Sequence, residues 1–267
     1  MAELSDLQND PVLLVEQEGS VCTLSINRPG NGNAITMAVR RSLIRVLDEI
    51  AGDDAVRVVV LRGAGDEAFS VGLDLPELAS LTAPEMRAMH ELSAALYKRL
   101  TTIEKPVIAA IRGGCVGAGL EIALHCDIRL SRADARFGLP GVNVGIVSNG
   151  AALGRLCKVI GFGAAYAMAM TGGIITAERA FALGLITNVL KVKDFASAVD
   201  ELAEHFAQLS PTALAETKRT LQVQAEKGTQ AAFETAAEGF IRCFEKGDAS
   251  TRLRGFFGGP EPDVQLH

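Results

Sequence analysis

The most constraining feature of the sequence is a glycine cluster that runs directly into a helical pattern, in residues 112–128. Glycine lets the backbone approach a ligand closely, and the apolar residues that follow recur at helical spacing. The start of such a helix offers unpaired N–H groups and a positive dipole end to negative charge. The short apolar run before it, residues 106–111, is typical of a buried strand. The stretch predicts a strand, a glycine turn and a helix, which many α/β proteins use only to reverse direction. The four glycines are Gly113, Gly114, Gly117 and Gly119.

Composition places the chain among ordinary globular proteins. Its 267 residues are 48% hydrophobic and 22% charged, which suffices for one large core, or one core with a small appended piece. The net charge of −6 and the lack of a long basic run give no support to a nucleic-acid or anionic-membrane surface. The apolar stretches fall short of the roughly 20 residues of a membrane helix, and residues 1–10 are acidic, unlike a signal peptide. We therefore expect a cytoplasmic protein with no nucleic-acid or membrane partner.

The cysteines and histidines show no pattern that favours a metal site. The cysteines are odd in number and widely spaced, which is typical of buried reduced thiols. The histidines lack the spacing of metal ligands. His125 lies four residues after Glu121 on the same helical pattern, which is compatible with a pair or with simple packing. We predict no metal.

Strand and helix patterns alternate through most of the chain. This alternation predicts right-handed crossovers and a mainly parallel sheet, hence an α/β fold. The C-terminal part has helical patterns without strands. We therefore predict a core over residues 1–195 and a helical region over 196–267, serving as a trimerisation arm, a lid or a small second lobe, with residues 258–267 as a disordered tail. The predicted elements are a hairpin at 12–26, a helix at 37–51 capped by Thr36, strands at 57–63 and 106–111, and a helix at 84–103.

A second glycine turn, in residues 69–75, also follows a strand-like run. Two such turns can each offer a backbone N–H to one carbonyl oxygen, which is the construction of an oxyanion hole. Together with the carboxylate of Glu121, this pairing favours a catalytic site over two unrelated turns.

At this point the chain resembles a known family, the crotonase or enoyl-CoA hydratase/isomerase superfamily. The resemblance covers nearly the whole chain, with several motifs in the expected order: "LSINRPGNGNAIT", "DDAVRVVVLRGAGDEAFSVGLDL", "EKPVIAAIRGGCVGAGLEIALHCDIRLSRADARFGLP" and "TAERAFALGLITNVL". It implies a spiral of repeated β-β-α units with a C-terminal helical region, and a homotrimer or a dimer of trimers. It also implies a lyase of fatty acid metabolism that acts on an acyl-CoA substrate, with no cofactor besides that coenzyme A.

The resemblance implies roles for individual residues. The N–H groups of Leu73 and Ala118 would bind the thioester oxygen, although Ala118 stands where the family usually has glycine. Glu121 matches the first of two catalytic glutamates and would act as general base or acid. The remaining implied substrate-binding residues are Arg28, Val71, Asp74, Leu75, Gly117, Pro140, Gly141, Asn143 and Ser148.

The chain departs from the hydratase pattern at Gly141, where the second catalytic glutamate is expected. Losing a positioned acid or base typically costs about 10² to 10⁴ in rate. The segment after it offers Asn143, Ser148 and Asn149, and locally resembles the methylmalonyl-CoA decarboxylase branch. Polar loop side chains also often serve only for capping.

The coenzyme A contacts are altered too. Two lysines that often flank the nucleotide in hydratases are replaced by Glu67 and Pro76. The resemblance therefore implies that Arg28, together with Lys218 or Arg219, would bind the phosphates of coenzyme A.

The economical interpretation is an enoyl-CoA hydratase that adds water to a 2-enoyl-CoA. A decarboxylase, hydrolase or lyase of the same enolate chemistry stays open because of Gly141. A non-catalytic acyl-CoA-binding protein and a purely structural trimer are the remaining alternatives.

Overall fold

The computed structural model describes residues 10–258 of the chain, so the predicted disordered tail lies, but for Gly258, outside the described residues. The strands are β1 (Leu13–Glu18), β2 (Val21–Ile26), β3 (Val58–Gly63), β4 (Ala68–Ser70), β5 (Val107–Ile111), β6 (Gly114–Val116), β7 (Ile128–Arg132), β8 (Arg136–Gly138), β9 (Ile174–Thr176) and β10 (Asn188–Leu190). The helices are α1 (Met37–Gly52), α2 (Leu75–Ser80), α3 (Ala83–Thr102), α4 (Ala118–His125), α5 (Gly150–Thr171), α6 (Ala177–Ala182), α7 (Phe195–Gln208), α8 (Pro211–Lys227), α9 (Thr229–Glu245) and α10 (Asp248–Gly258).

Successive strand pairs divide between two sheets. The six-stranded sheet has the order β1-β2-β3-β5-β7-β10, and the four-stranded sheet has the order β4-β6-β8-β9. Each of the pairs β3/β4, β5/β6 and β7/β8 gives its first strand to the larger sheet and its second to the smaller. Only the β1–β2 and β8–β9 pairings are antiparallel among the described residues. This mixed α/β fold of β-β-α repeats, with a helical C-terminal region, confirms the predicted fold class.

The central strands β3 and β5 of the larger sheet are buried on both faces, which explains the apolar runs at residues 58–61 and 107–111. Val59 and Leu61 of β3 pack in the main hydrophobic core, whereas Val58 and Val60 point to the opposite face and pack with Phe195 and other residues of α7. Successive side chains of a strand point to opposite faces, so a strand segment covered on both sides is a continuous apolar run.

Capping residues fix where the two long helices over the core begin. Thr36 accepts a hydrogen bond from the N–H of Val39, as predicted for the start of α1. α3 begins with a capping box in which Thr82 and Glu85 satisfy each other's backbone N–H groups. The short helix α2, capped by Asp74, was not predicted, because its six residues carry too little periodicity.

The chain divides into two compact units. The first comprises the described residues up to Ile103 together with Val107–Ala207, and the second comprises Glu104–Pro106 with the described residues from Gln208 onward. The first unit thus includes most of α7, the first helix of the region that the sequence assigned to residues 196–267. The reason is the apolar stripe of α7, which packs on the larger sheet. The second unit is helical, with α8 packed against α9.

One helix differs from the expectation that all apolar stretches are short. Within residues 10–258, α5 alone is long and apolar enough, by length and composition, to cross a membrane. Helices in the cores of soluble proteins pass the same test. Its residues Ala152, Leu156 and Ile160 belong to the hydrophobic core, and Gly161 interrupts the helical geometry with φ 76° and ψ 154°.

Candidate active site

The glycine cluster forms the turn between β6 and α4. Gly117 has φ 52° and ψ −128°, a conformation that essentially only glycine adopts. Its N–H donates to the carbonyl oxygen of Gly138 at 2.9 Å, which ties the turn to β8. Every residue of α4 is buried, so the helix start and Glu121 lie inside the fold.

The second glycine turn lies in backbone contact with the first. Gly72 has φ 99°, and a β-carbon added to it would lie 3.0 Å from the carbonyl oxygen of Val116 and 3.3 Å from the nitrogen of Ala118. The turn is held by Ile35, whose N–H donates to the carbonyl oxygen of Gly72 at 2.7 Å. Within residues 10–258, neither the N–H of Leu73 nor that of Ala118 has a hydrogen-bond partner. The two predicted donors are therefore free and on adjacent turns.

Ala118 fits its position although the family usually has glycine there. In the described part of the chain, Asn33 is the only non-glycine residue with a positive φ. Ala118 therefore has an ordinary φ at the first position of α4, and its β-carbon causes no backbone strain.

Glu121 is held at both carboxylate oxygens. The hydroxyl of Tyr97 donates to Oε2 at 2.7 Å, and the backbone N–H of Asn149 donates to Oε1 at 2.8 Å. The residue is 8% exposed. Each carboxylate oxygen has a second lone pair, so the group is fixed in position and keeps the capacity to accept a proton.

A buried polar cluster supports Tyr97. The ring of His125 stacks on the tyrosine ring with centroids 4.3 Å apart, and its Nδ1 donates to the carbonyl oxygen of Glu121 at 2.7 Å. Burial lowers the pKa of His125 to about 4, so the ring is neutral at physiological pH. Burial, and secondarily the charge of Glu121, raises the pKa of Tyr97, so its hydroxyl keeps its proton. Ser93, which interacts with the Tyr97 hydroxyl, accepts a hydrogen bond from Nε of Arg40 at 3.0 Å.

A cavity of about 510 Å³ is lined by Glu121, Ser93 and Arg40. Apart from Arg28, it is lined by every residue of the first unit that the sequence assigned to the site: Val71, Leu73, Asp74, Leu75, Gly117, Ala118, Glu121, Pro140, Gly141, Asn143 and Ser148. The structure thus brings the predicted residues together, and their individual roles stay predictions.

The space beside Gly141 is filled by Ile146 of its own loop. A β-carbon at Gly141 would lie 2.9 Å from the carbonyl oxygen of Ile146 and 3.3 Å from its Cγ1. The N–H of Ile146 donates to the carbonyl oxygen of Gly141 at 3.0 Å, closing the loop after the 3₁₀ helix Pro140–Val144. The three described atoms nearest to such a β-carbon all belong to Ile146, where the hydratase pattern has the second glutamate. The side-chain amide of Asn143 lies against Gly172 instead.

The predicted phosphate ligands are partly engaged elsewhere. Nη1 of Arg28 donates to Oδ2 of Asp74 at 2.8 Å, and Arg28 is not among the residues that line the cavity. Asp74 also caps α2, and that backbone hydrogen bond, followed by the Arg28 contact, lowers the pKa of its carboxyl. In the second unit, Nζ of Lys218 donates to the carbonyl oxygen of Lys105, and Arg219 pairs with Glu216.

Sequence reasoning missed Tyr97, Ser93 and Arg40. A signal was present for each, because all three share the helical spacing of buried residues. On α3, Met89, Ser93 and Tyr97 are four residues apart. On α1, Arg40 lies on the same face as Leu43 and Leu47. A polar residue on a buried helical face is a candidate for a specific partner.

Two facing glycine turns and a buried carboxylate on β-β-α repeats define the crotonase class. A family model described as enoyl-CoA hydratase/isomerase matches residues 16–258, so the chain belongs to that family, as its motifs predicted. The short-chain-enoyl-CoA hydratase of Clostridium acetobutylicum is 33% identical over 246 residues, which cover 91% of this chain and 94% of that protein. The 2,3-dehydroadipyl-CoA hydratase of Escherichia coli is 31% identical over 253 residues, covering 95% and 98%. A crystal structure of enoyl-CoA hydratase from Bacillus anthracis matches with a TM-score of 0.90 at 27% identity, covering 94% of this chain and 98% of that one.

Proposed function

We propose that the protein is an enoyl-CoA hydratase, which adds water across the double bond of a 2-enoyl-CoA thioester. The observation that carries this proposal is the contact between the Gly72–Leu73 and Gly117–Ala118 turns, with Glu121 lining the same cavity. The hydratase names of relatives covering most of the chain support it.

The two free amides would bind the thioester oxygen. Hydroxide addition at the β-carbon moves negative charge onto that oxygen as an enolate. Backbone donors preorganised for this charge typically contribute a factor of about 10² to 10³ each. Because the donors are the N–H groups of Leu73 and Ala118, their side chains are free to differ from those of relatives.

Glu121 would move the proton. Its carboxylate takes one proton from water as the oxygen bonds to the β-carbon, and the same proton then passes to the α-carbon of the enolate. One water molecule is consumed: its hydroxyl group ends on the β-carbon and its remaining proton on the α-carbon. The carboxylate of Glu121 is regenerated. Tyr97 and the N–H of Asn149 hold the carboxylate in place for both transfers.

A single carboxylate suffices in this scheme because one group both removes and returns the proton. The chemistry needs no metal and no cofactor besides the coenzyme A of the substrate. We place the adenine against the exposed apolar residues Val71 and Leu75 at the cavity, with Arg28 near its phosphates.

We also propose that the protein is a soluble, cytoplasmic homotrimer or dimer of trimers. Each unit carries exposed apolar side chains that an assembly would cover: Phe162, Tyr166 and Met170 on α5 of the first unit, and Phe233, Phe240 and Ile241 on α9 of the second. Light scattering coupled to size-exclusion chromatography tests this assembly.

Turnover of crotonyl-CoA by the purified protein tests the proposed function. Loss of the enoyl-thioester absorbance with formation of 3-hydroxybutyryl-CoA is expected. Tight binding of crotonyl-CoA without any product would favour the non-catalytic acyl-CoA-binding alternative. Release of free coenzyme A, or decarboxylation of methylmalonyl-CoA without hydration, would assign the site to one of the related reactions.

A further inference from the structure

A buried arginine faces the cavity without a carboxylate partner. Arg40 of α1 is 2% exposed, yet it is among the residues that line the cavity. Its Nε donates to Oγ of Ser93 at 3.0 Å, and its Nη1 donates to the carbonyl oxygen of Ile35 at 3.1 Å. Within residues 10–258, its Nη2 has no hydrogen-bond partner.

The other buried arginines of the described chain are arranged differently. Arg132 pairs with Asp134 and Asp66. Arg129 donates to backbone carbonyl groups, including that of Leu185, and does not line the cavity. Of the three buried arginines in the described chain, Arg40 is the one that lines the cavity.

The acidic groups of the cavity are already engaged. Asp74 binds Arg28 and caps α2, and Glu121 binds Tyr97 and the N–H of Asn149. Glu77 and Glu121 act on Arg40 only at a distance, and the described residues place no carboxylate within ion-pair range of it. Although burial lowers the pKa of Arg40, a guanidinium stays protonated in proteins. A buried charge without a partner is costly, so a negative group of the ligand is its natural complement.

We propose that Arg40 binds a carboxylate at the far end of the acyl group, so that the preferred substrates are short dicarboxylic 2-enoyl-CoA thioesters. The inference rests on the proposed function for the reaction, but the binding preference is separable from turnover. Arg40 is linked through Ser93 to Tyr97, which binds Glu121, and Arg40 and Glu121 line the same cavity. This connection favours a short acyl chain. Met89 and Ile146 of the same lining suit the methylene groups between the two ends.

Binding of saturated thioesters tests this preference without any reaction. The dissociation constants of glutaryl-CoA and valeryl-CoA, and of adipyl-CoA and hexanoyl-CoA, are measured by calorimetry on the full-length protein. We expect at least one carboxylated member to bind about tenfold or more tightly than its neutral partner. In Arg40→Met the dissociation constants of the carboxylated and the neutral thioester should become similar, whatever the variant does to overall affinity. Arg41→Met is the matched control, because Arg41 lies on the same helix with an exposed side chain outside the cavity lining.

Equal or weaker binding of both carboxylated thioesters by the unmodified protein would overturn the proposal, as would a ratio that survives in Arg40→Met. If Arg40→Met does not fold, Arg40→Gln serves the same comparison, because glutamine keeps a donor toward Ser93. The ratio of the two dissociation constants in the unmodified protein remains decisive. Crotonyl-CoA hydration, measured in parallel, separates the two failures. Hydration without a carboxylate preference overturns only the role of Arg40, and the preference without hydration overturns only the reaction.

Discussion

The hydroxyl of Tyr97 donates to Oε2 of Glu121 at 2.7 Å, in a part of the fold where both side chains are buried. Tyr97 comes from α3 and Glu121 from α4, so this bond joins two helices at the candidate catalytic carboxylate. The tyrosine is not among the residues that line the cavity. It therefore acts through Glu121, as a positioning residue.

Tyr97→Phe removes this donor and keeps the ring that stacks on His125. Hydrogen bonds to charged groups contribute about 1.5–3 kcal/mol, so we expect kcat for crotonyl-CoA hydration to fall about tenfold or more. KM should change little, because the lost hydroxyl does not contact substrate. Steady-state kinetics measure both. An unchanged kcat in Tyr97→Phe would refute the positioning role.

Gly72→Ala places a methyl group between the two turns. Its β-carbon would lie 3.0 Å from the carbonyl oxygen of Val116 and 3.3 Å from the nitrogen of Ala118. We expect kcat/KM to fall by about 10² to 10³, the typical effect of losing one oxyanion donor. Gly19→Ala is the matched control, since Gly19 also has a positive φ, of 56°, but no atom within 4 Å of the added carbon. Similar activities of the two variants would show that the contact between the turns is not needed.

Gly141→Glu restores the glutamate found at this position in hydratases, yet we expect no gain in hydration rate. The new side chain would begin 2.9 Å from the carbonyl oxygen of Ile146, so the loop has to move. Overpacking of this kind costs about 1–3 kcal/mol, and thermal unfolding should shift to lower temperature. Gly150→Glu, where the added carbon meets no atom within 4 Å, is the control. An activity above that of the unmodified protein would contradict this account of the loop.

His125 should make stability depend on pH. Burial sets its pKa at about 4, below the ordinary value of 6.5. Between these values the unfolded chain binds more protons than the folded one, so stability is full above about pH 6.5 and falls as the pH drops toward 4, by about 3 kcal/mol.

His125→Gln removes this titration. Urea unfolding between pH 7.5 and 4.5 should give a flatter pH dependence for the variant than for the unmodified protein. His205→Gln, at an exposed histidine of α7, controls for replacement of a histidine as such. Parallel pH dependences of His125→Gln and the unmodified protein would exclude His125 as the source.

Much of the fold was predictable from the sequence because its signals are local. The N-cap Thr36, the period of α1 and the apolar run of β3 each depend on neighbouring residues, and each prediction is confirmed. The glycine turns and Glu121 were found for the same reason, since motif and spacing lie within a few residues. The boundary of the helical region was less accessible, because α7 belongs with the sheet through packing against distant strands.

The rest of the site depends on contacts between residues far apart in the chain. Tyr97 meets Glu121 across 24 positions, and Ser93 meets Arg40 across 53. Helical spacing places these side chains on buried faces, but does not say which partner lies opposite. The space beside Gly141 was also unpredictable, because the loop folds back and places the carbonyl oxygen and Cγ1 of Ile146 there.

Comparison of the unmodified protein with Glu121→Gln in crotonyl-CoA hydration tests the central claim most directly. Glutamine keeps the size of the side chain but cannot accept a proton from water. We predict robust hydration by the unmodified protein and a fall in kcat of about 10² to 10⁴ in the variant, with crotonyl-CoA still bound. Hydration at an unchanged rate by Glu121→Gln would contradict the account, because the proton would then move through another group.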